Sequence, residues 1–227
     1  HNVDGVVLAT PAHLNAAIAT VALERGVDTL VEKPPGLFSA ETMALRDAAA
    51  ASGARCMVAW DRRFNPHLRA AADAVAARGP LRQLVGEFHK PTQAILDERF
   101  PEPLRQRYLL ESPIHTIDAV RCLAGGAVET VHSAVRRVTG DYADVHAALV
   151  TFTGGCVAQL THCITAGARL ERYELHGDGI SVYLEGIAGG TVHVVDQDPY
   201  PLELPPGTPD AAAAQARFFV DRLLDGK

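Results

Sequence analysis

The sequence predicts an α/β protein in two parts: half of a doubly wound parallel sheet, then an α+β domain with an open, mostly antiparallel sheet. Three observations carry this expectation. Up to about residue 78, short apolar strands alternate with helices of about 12 to 14 residues, the pattern of a parallel sheet covered on both faces. Gly79-Pro80 stops the last of these helices and is read as the domain boundary. Beyond it, closely spaced strand patterns separated by glycine-rich turns replace the alternation.

The elements follow in order. Val6 to Ala9 reads as a buried strand, 12–25 as a helix, 27–31 as a second strand, 39–52 as a helix and 55–60 as a third strand. Ser39 is the expected N-cap of its helix, helped by Glu41 in the first turn. Asn65-Pro66 opens a helix to about residue 78. Then come a strand at 81–89, a loop with Pro91, Pro101 and Pro103, and a helix at about 108–123 closed by Gly125-Gly126. Strands are expected at 128–138, 143–152, 156–164, 170–176, 181–185 and 190–195, with turns at Thr153-Gly154-Gly155 and Gly177-Asp178-Gly179. Alternation puts Val145, Ala147 and Leu149 on one face and His146, Ala148 and Val150 on the other. Both faces are partly apolar, so one is expected to take a helix and the other a partner subunit. The proline-rich stretch 198–210 reads as a stiff connector, not another strand, before a terminal helix at about 211–224.

Composition narrows the function classes. The 227 residues are 48% apolar, enough for a real core. Twenty-one basic against 27 acidic residues give a formal charge of −6 without a concentrated basic stripe, which argues against a nucleic-acid partner. No apolar run reaches the roughly 18 to 20 residues that span a bilayer, so no membrane role is expected. Cys56, Cys122, Cys156 and Cys163 are scattered and read as buried thiols in a cytoplasmic setting, not as a metal site. A strand pattern almost at the first residue and a helix at the last make both ends read as cut relative to a complete enzyme.

Four places carry candidate chemistry. GVDTLVEKP at 26–34 delivers Glu32, Lys33 and Pro34 at the C-terminal edge of a strand, where open α/β sheets carry out their chemistry. An ammonium restrained there by Pro34 and Pro35 can bind a substrate oxygen or relay a proton; it can also simply face water. Glu111, His115 and Asp118 are spaced four and three residues apart, so a helix would align them as one polar seam. The seam reads equally as a pocket lining or as a solvent face, and without HExxH no metal is expected there. In AWDRRFNP at 59–66, Asp61, Arg62, Arg63 and Asn65 can contact a ligand, or the arginines can pair with acids. In the LATPAHL turn, Thr10 and Pro11 can meet a flat ring, and His13 and Asn15 follow at a helix start with free N–H groups. No GxGxxG occurs in the chain.

Together VDGVVLATPAHL, GVDTLVEKP, VAWDRRFNP, SPIHTID and YELHGDGISVYLEG, in this order, closely resemble the glucose-fructose oxidoreductase and inositol 2-dehydrogenase family, Gfo/Idh/MocA. The resemblance implies an N-terminal Rossmann domain for NAD or NADP and a C-terminal α/β domain for substrate binding and oligomerisation. Residues 1–79 would be the C-terminal half of the Rossmann domain, lacking its glycine-rich loop, and 80–227 the substrate domain. Lys33 would match the family's EKP lysine, His115 its active-site histidine and Asp118 the acid of HxxD. Glu111 stands where many family dehydrogenases carry Asp, and Pro113 where Gly is common.

The implied reaction is hydride transfer between the nicotinamide and a secondary alcohol of a sugar, cyclitol or related polyol. Lys33 and His115 are the expected catalytic pair, with His115 as base; Glu111, Asp118 and Arg63 are the expected substrate contacts. Thr10, Pro11, His13, Glu32, Lys33, Pro34 and Arg63 are the expected cofactor contacts. A homodimer or homotetramer is implied. Two other readings stay open: a transient-redox dehydratase, epimerase or glycosidase using tightly bound NAD, and a nonenzymatic sugar- or nucleotide-binding regulator.

Overall fold

A computed structural model describes residues 3–92, 96–138 and 140–225. It divides into two compact units. The first holds the chain through Trp60, Phe100–Ile114 and the residues from Ala212; the second holds Asp61–Arg99 and His115–Ala211. The division thus falls at Trp60/Asp61 and not at Gly79-Pro80, and two later segments return to the first unit. The reason is packing. Helix α3 (Pro66–Ala76) buries Leu68, Ala71 and Val75 in the core of the second unit, so the Gly79-Pro80 break ends a helix without ending a unit.

In the first unit, strands β1 (Gly5–Leu8), β2 (Asp28–Val31) and β3 (Cys56–Val58) pair in parallel in the order β1-β2-β3. Every residue of β2 is buried. Val31 packs with Ala19 and Leu23 of α1 (Ala12–Glu24) and Leu45 of α2 (Ser39–Ser52). Leu30, pointing the other way, packs with Ala59 and with Phe219 of α7 (Ala211–Asp225). The alternating strand geometry gives one strand two covered faces, as its unbroken apolar run requires. β1 departs from the buried strand expected: none of its residues is fully buried, and Val7 is 66% exposed.

The N-cap of α2 also differs from expectation. Phe38 holds it in an extended backbone conformation and Ser39 is already helical. The capping work is done by Glu41, whose carboxylate accepts the main-chain N–H groups of Leu37 and Phe38 at 2.6 and 3.1 Å. An acid three residues past the N-cap reaches back to the N–H groups that lead into the helix, which is the acid's half of a capping box.

The second unit is built on eight strands: β4 (Gln83–His89), β5 (Val128–Arg136), β6 (Val145–Phe152), β7 (Val157–Cys163), β8 (Leu170–Gly177), β9 (Ile180–Glu185), β10 (Thr191–Val194) and β11 (Tyr200–Pro201). Their order is β11-β10-β9-β8-β4-β7-β6-β5, and every pairing is antiparallel except β4 with β7. One face carries the core, with Leu84, Phe88, Ala158, Tyr173, Leu175, Val182 and Leu184 buried in alternation along their strands. Helix α6 (Ile114–Ala124) lies on that face at Gly86, where an added Cβ would stand 2.6 Å from Val120 and 2.8 Å from Thr116. Gly86 is therefore a point of close strand-to-helix approach.

β11 was not expected. Tyr200 and Pro201 pair with Val192 and Thr191 inside the supposed connector, which is consistent with proline at a sheet edge. The proline loop holds short helices α4 (Leu96–Arg99) and α5 (Glu102–Arg105), and Leu104 and Tyr108 are buried. All four cysteines are free thiols, but only Cys156 is buried and Cys122 is exposed, against the expectation of uniform burial. No helix of the described residues is long and apolar enough to cross a membrane.

Candidate active site

In the first unit, β1 and β2 end side by side, with Leu8 opposite Val31. The chain runs on from them as Thr10-Pro11 and as Glu32-Lys33-Pro34. A single neutral side chain ties the two ends together. Asn15, fully buried in the first turn of α1, donates from Nδ2 to the carbonyls of Glu32 and Pro34, both at 2.9 Å, and accepts the Thr10 hydroxyl at 2.7 Å.

Lys33 is half-buried in this turn, and the Lys33–Pro34 bond is cis. Its main-chain N–H donates to the Glu32 carboxylate at 3.1 Å, and its Nζ donates to the Glu111 main-chain carbonyl. The Glu111 carboxylate instead accepts the Ser112 hydroxyl. Pro11 and His13 are exposed at the start of α1, whose N-terminus has no side-chain cap. That leaves helix-end N–H donors beside Thr10 and Lys33, a donor set that suits the polar groups of a bound dinucleotide.

Glu111, His115 and Asp118 do not share one helical face. Residues 108–110 form a 3₁₀ turn, residues 111–113 a further turn, and α6 begins only at Ile114. Pro113 explains the break: it lacks an N–H and pushes Ser112 out of helical conformation. His115 and Asp118 remain together on α6, and the unit division passes between Ile114 and His115.

The second unit gathers the charged residues of the AWDRRFNP segment. Residues 61–64 form a 3₁₀ turn, and Asn65 caps α3 by accepting the Leu68 N–H at 2.9 Å. Arg62 is buried and grips both oxygens of Glu171 on β8 through Nε and Nη2, at 2.7 and 2.9 Å. Its Nη1 donates to Asp61 Oδ2 at 2.6 Å. The Tyr173 hydroxyl donates to Glu171 Oε1 at 3.0 Å and lies 3.3 Å from the Thr116 hydroxyl. Asp61 Oδ1 stands 3.0 Å from His115 Nδ1. Arg63 makes a two-pronged bond to Asp118 at 2.8 and 2.6 Å. Asp118 is buried, while the Arg63 side chain is 42% exposed, so the carboxylate orients the guanidinium.

The charges support one another. Burial pushes the Asp61 carboxyl up, but His115 and the Arg62 charge outweigh it and hold the group below the ordinary aspartate value. Burial opposes the charge on Arg62, yet Glu171 and Asp61 more than offset it. Tyr173 is pushed up by burial and by Glu171, and so remains a neutral donor.

The expected residues thus fall into two groups. Thr10, Glu32, Lys33, Pro34 and Glu111 come together in the first unit; Arg63, His115 and Asp118 come together in the second. Two contributions go beyond the sequence reading. Asn15, named there only as following at a helix start, acts as a hub between strand ends; Glu171 was not named. Glu171 is a carboxylate in the core-facing register of β8, a position where alternation with Tyr173 and Leu175 flags a buried acid needing a cation.

Known proteins share this arrangement of sequence and fold. Residues 68–183 match the family model described as the GFO/IDH/MocA C-terminal domain, and residues 1–60 match that of an oxidoreductase family with an NAD-binding Rossmann fold. An inositol 2-dehydrogenase of Saccharopolyspora erythraea is 28% identical over 202 residues, which is 85% of this chain and 58% of that protein. The chain therefore spans less than two thirds of this relative's length. The structure of a UDP-N-acetylglucosamine 3-dehydrogenase from Acidithiobacillus ferrooxidans superposes with a TM-score of 0.83 at 23% identity, over 99% of this chain and 71% of that one. A levoglucosan dehydrogenase solved with NADH and L-sorbose has a TM-score of 0.78 at 22% identity, over 91% and 62%.

Proposed function

Because the chain belongs to the Gfo/Idh/MocA oxidoreductase family, we propose that the whole protein oxidises a secondary alcohol of a sugar, cyclitol or related polyol with NAD or NADP. The observation that carries the reading is Lys33, held in the EKP turn at the C-terminal ends of parallel strands by Asn15 and the Glu111 carbonyl. The names of an inositol dehydrogenase and of two sugar dehydrogenases among the similar proteins support the substrate class.

The cofactor supplies the hydride acceptor. Thr10, Pro11, His13, Glu32, Lys33 and Pro34 would hold its nicotinamide end, and Arg63 its polar groups. Lys33 offers positive charge to the reacting oxygen, and His115 takes the hydroxyl proton. Asp118 acts by orienting Arg63, and Glu111 by fixing Lys33 through its main chain, so both serve the substrate through a neighbour. The exposed face of the second unit's sheet, which includes Leu149 and Tyr183, supports self-association into a dimer or tetramer.

The test is a screen of polyols and sugars with NAD and NADP, following reduced cofactor at 1:1 stoichiometry with product. Lys33→Ala should lower kcat by about 100-fold or more. Full turnover by that variant removes Lys33 from the mechanism. Product formed without net reduced cofactor replaces simple oxidation by the transient-redox chemistry.

A further inference from the structure

We propose that Asp61 is the positioning residue of a His115–Asp61 dyad: its carboxylate holds the imidazole through Nδ1, so that Nε2 is the nitrogen that takes the substrate's hydroxyl proton. The proposal rests on the reading of His115 as the base.

Asp61 Oδ1 and His115 Nδ1 are 3.0 Å apart. Both atoms are buried, and neither has another hydrogen-bond partner among the described residues. At this separation an Nδ1–H can donate to the carboxylate oxygen. A carboxylate facing Nδ1 draws the ring proton there and leaves the Nε2 lone pair free, the arrangement in which a histidine serves as a directed base. The O–H bond of the alcohol then breaks with its proton going to Nε2 and its electron pair staying on oxygen.

Asp61 is itself held from behind, in a closed ring of side chains. His115 meets Asp61, Asp61 meets Arg62, Arg62 meets Glu171, Glu171 meets Tyr173, and Tyr173 meets Thr116, the residue after His115. The ring leaves α6 at one residue and returns at the next, passing through the 3₁₀ turn and β8. The His115 ring is therefore fixed against two elements, which is what a pre-oriented base needs. Charged groups of the second unit near it come from three elements. Asp61 and Arg62 come from the 3₁₀ turn; from β8 comes Glu171, with mostly exposed Arg169 at 3.6 Å; from α6 comes Asp118, engaged by Arg63. Asp61 is the carboxylate in contact with the imidazole, and it stays ionised because His115 and Arg62 outweigh its burial. It is the counter-charge for the imidazolium formed when the proton arrives.

The test uses the full-length protein labelled with ¹⁵N-histidine, with the His115 signals identified by their loss in His115→Asn. In the wild type the neutral ring should carry its proton on Nδ1, and Asp61→Asn should move it to Nε2 or leave it divided. A proton on Nε2 in the wild type overturns the dyad without any variant. In turnover, Asp61→Asn should lower kcat about 100-fold or more while KM stays within about 3-fold. The same change in a His115→Asn background should cost nothing further, because the residue acts only through the imidazole. Full turnover by Asp61→Asn, or an equal loss in both backgrounds, overturns the dyad and leaves the proposed reaction intact. The expected ring proton with no alcohol oxidised by the wild type supports the dyad's geometry and defeats the reaction instead.

Discussion

The Glu32-Lys33-Pro34 turn and the Asp61–Phe64 turn each present a charged group, and they are secured by opposite means. In the first unit the fastening is neutral: Asn15 bonds two carbonyls and a hydroxyl, and no charge on that amide changes with pH. In the second unit it is ionic, with Arg62 between Glu171 and Asp61, and Arg63 on Asp118. A neutral hub sets geometry at modest cost and ignores acid. A buried ion network sets geometry more tightly, but every member depends on the others, since removing one leaves a desolvated charge behind.

The largest effect expected from this contrast is at Arg62. Arg62→Met should lower stability by about 3–5 kcal/mol, because Glu171 loses its cation while buried and half-buried Asp61 loses one too. Urea unfolding followed by circular dichroism checks it, and a loss no larger than that at Asn15 would erase the distinction. Asn15→Ala, which removes three neutral bonds at a fully buried position, should cost about 2–3 kcal/mol. Its loss should be the same at pH 7 and pH 4, because no group it bonds titrates there, whereas the Arg62 loss should shrink as Asp61 and Glu171 take up protons in acid.

A third change separates packing from charge within the second unit. Gly86→Ala pushes a methyl to within 3 Å of Val120 and Thr116 and should cost about 1–3 kcal/mol by overpacking, adding to the loss of Arg62→Met. A loss that fails to add to that of Arg62→Met would mean that the methyl disturbs Thr116 and, through Tyr173, the ion network.

The smallest effect is in acid. The folded Asp61 carboxyl lies below the ordinary aspartate value of 3.8, so its contacts stabilise the fold fully above that pH. They are lost as pH falls through the lowered folded value. The melting temperature of Asp61→Asn should therefore fall less than that of the wild type between pH 5 and about 3. Asn15→Ala should show the wild-type acid dependence.

The two turns also differ in how far they could be read in advance. EKP was legible because it is local: an apolar strand, then an ordered set of charge and proline. The His115 arrangement was only half legible. The spacing of Glu111, His115 and Asp118 suggested one helical seam, but Pro113 starts the helix late and removes Glu111 from it. Arg62 and Arg63 were recognised as pairing with acids or with a ligand; that their acids would be Glu171 and Asp118, 109 and 55 residues away, was not available from spacing.

The sequence by itself determined the parallel and antiparallel halves, nearly every strand and helix, and the family, because periodicity and short motifs act over a few residues. Only the tertiary structure decided that Phe100–Ile114 and the last helix join the first unit, that Asn15 ties two strand ends together, and that Glu171 closes a ring of side chains through Arg62 and Asp61 to His115. These outcomes depend on which buried polar groups meet across long chain separations. Desolvation makes each such group require a partner, but it does not write the partner's position into the local pattern.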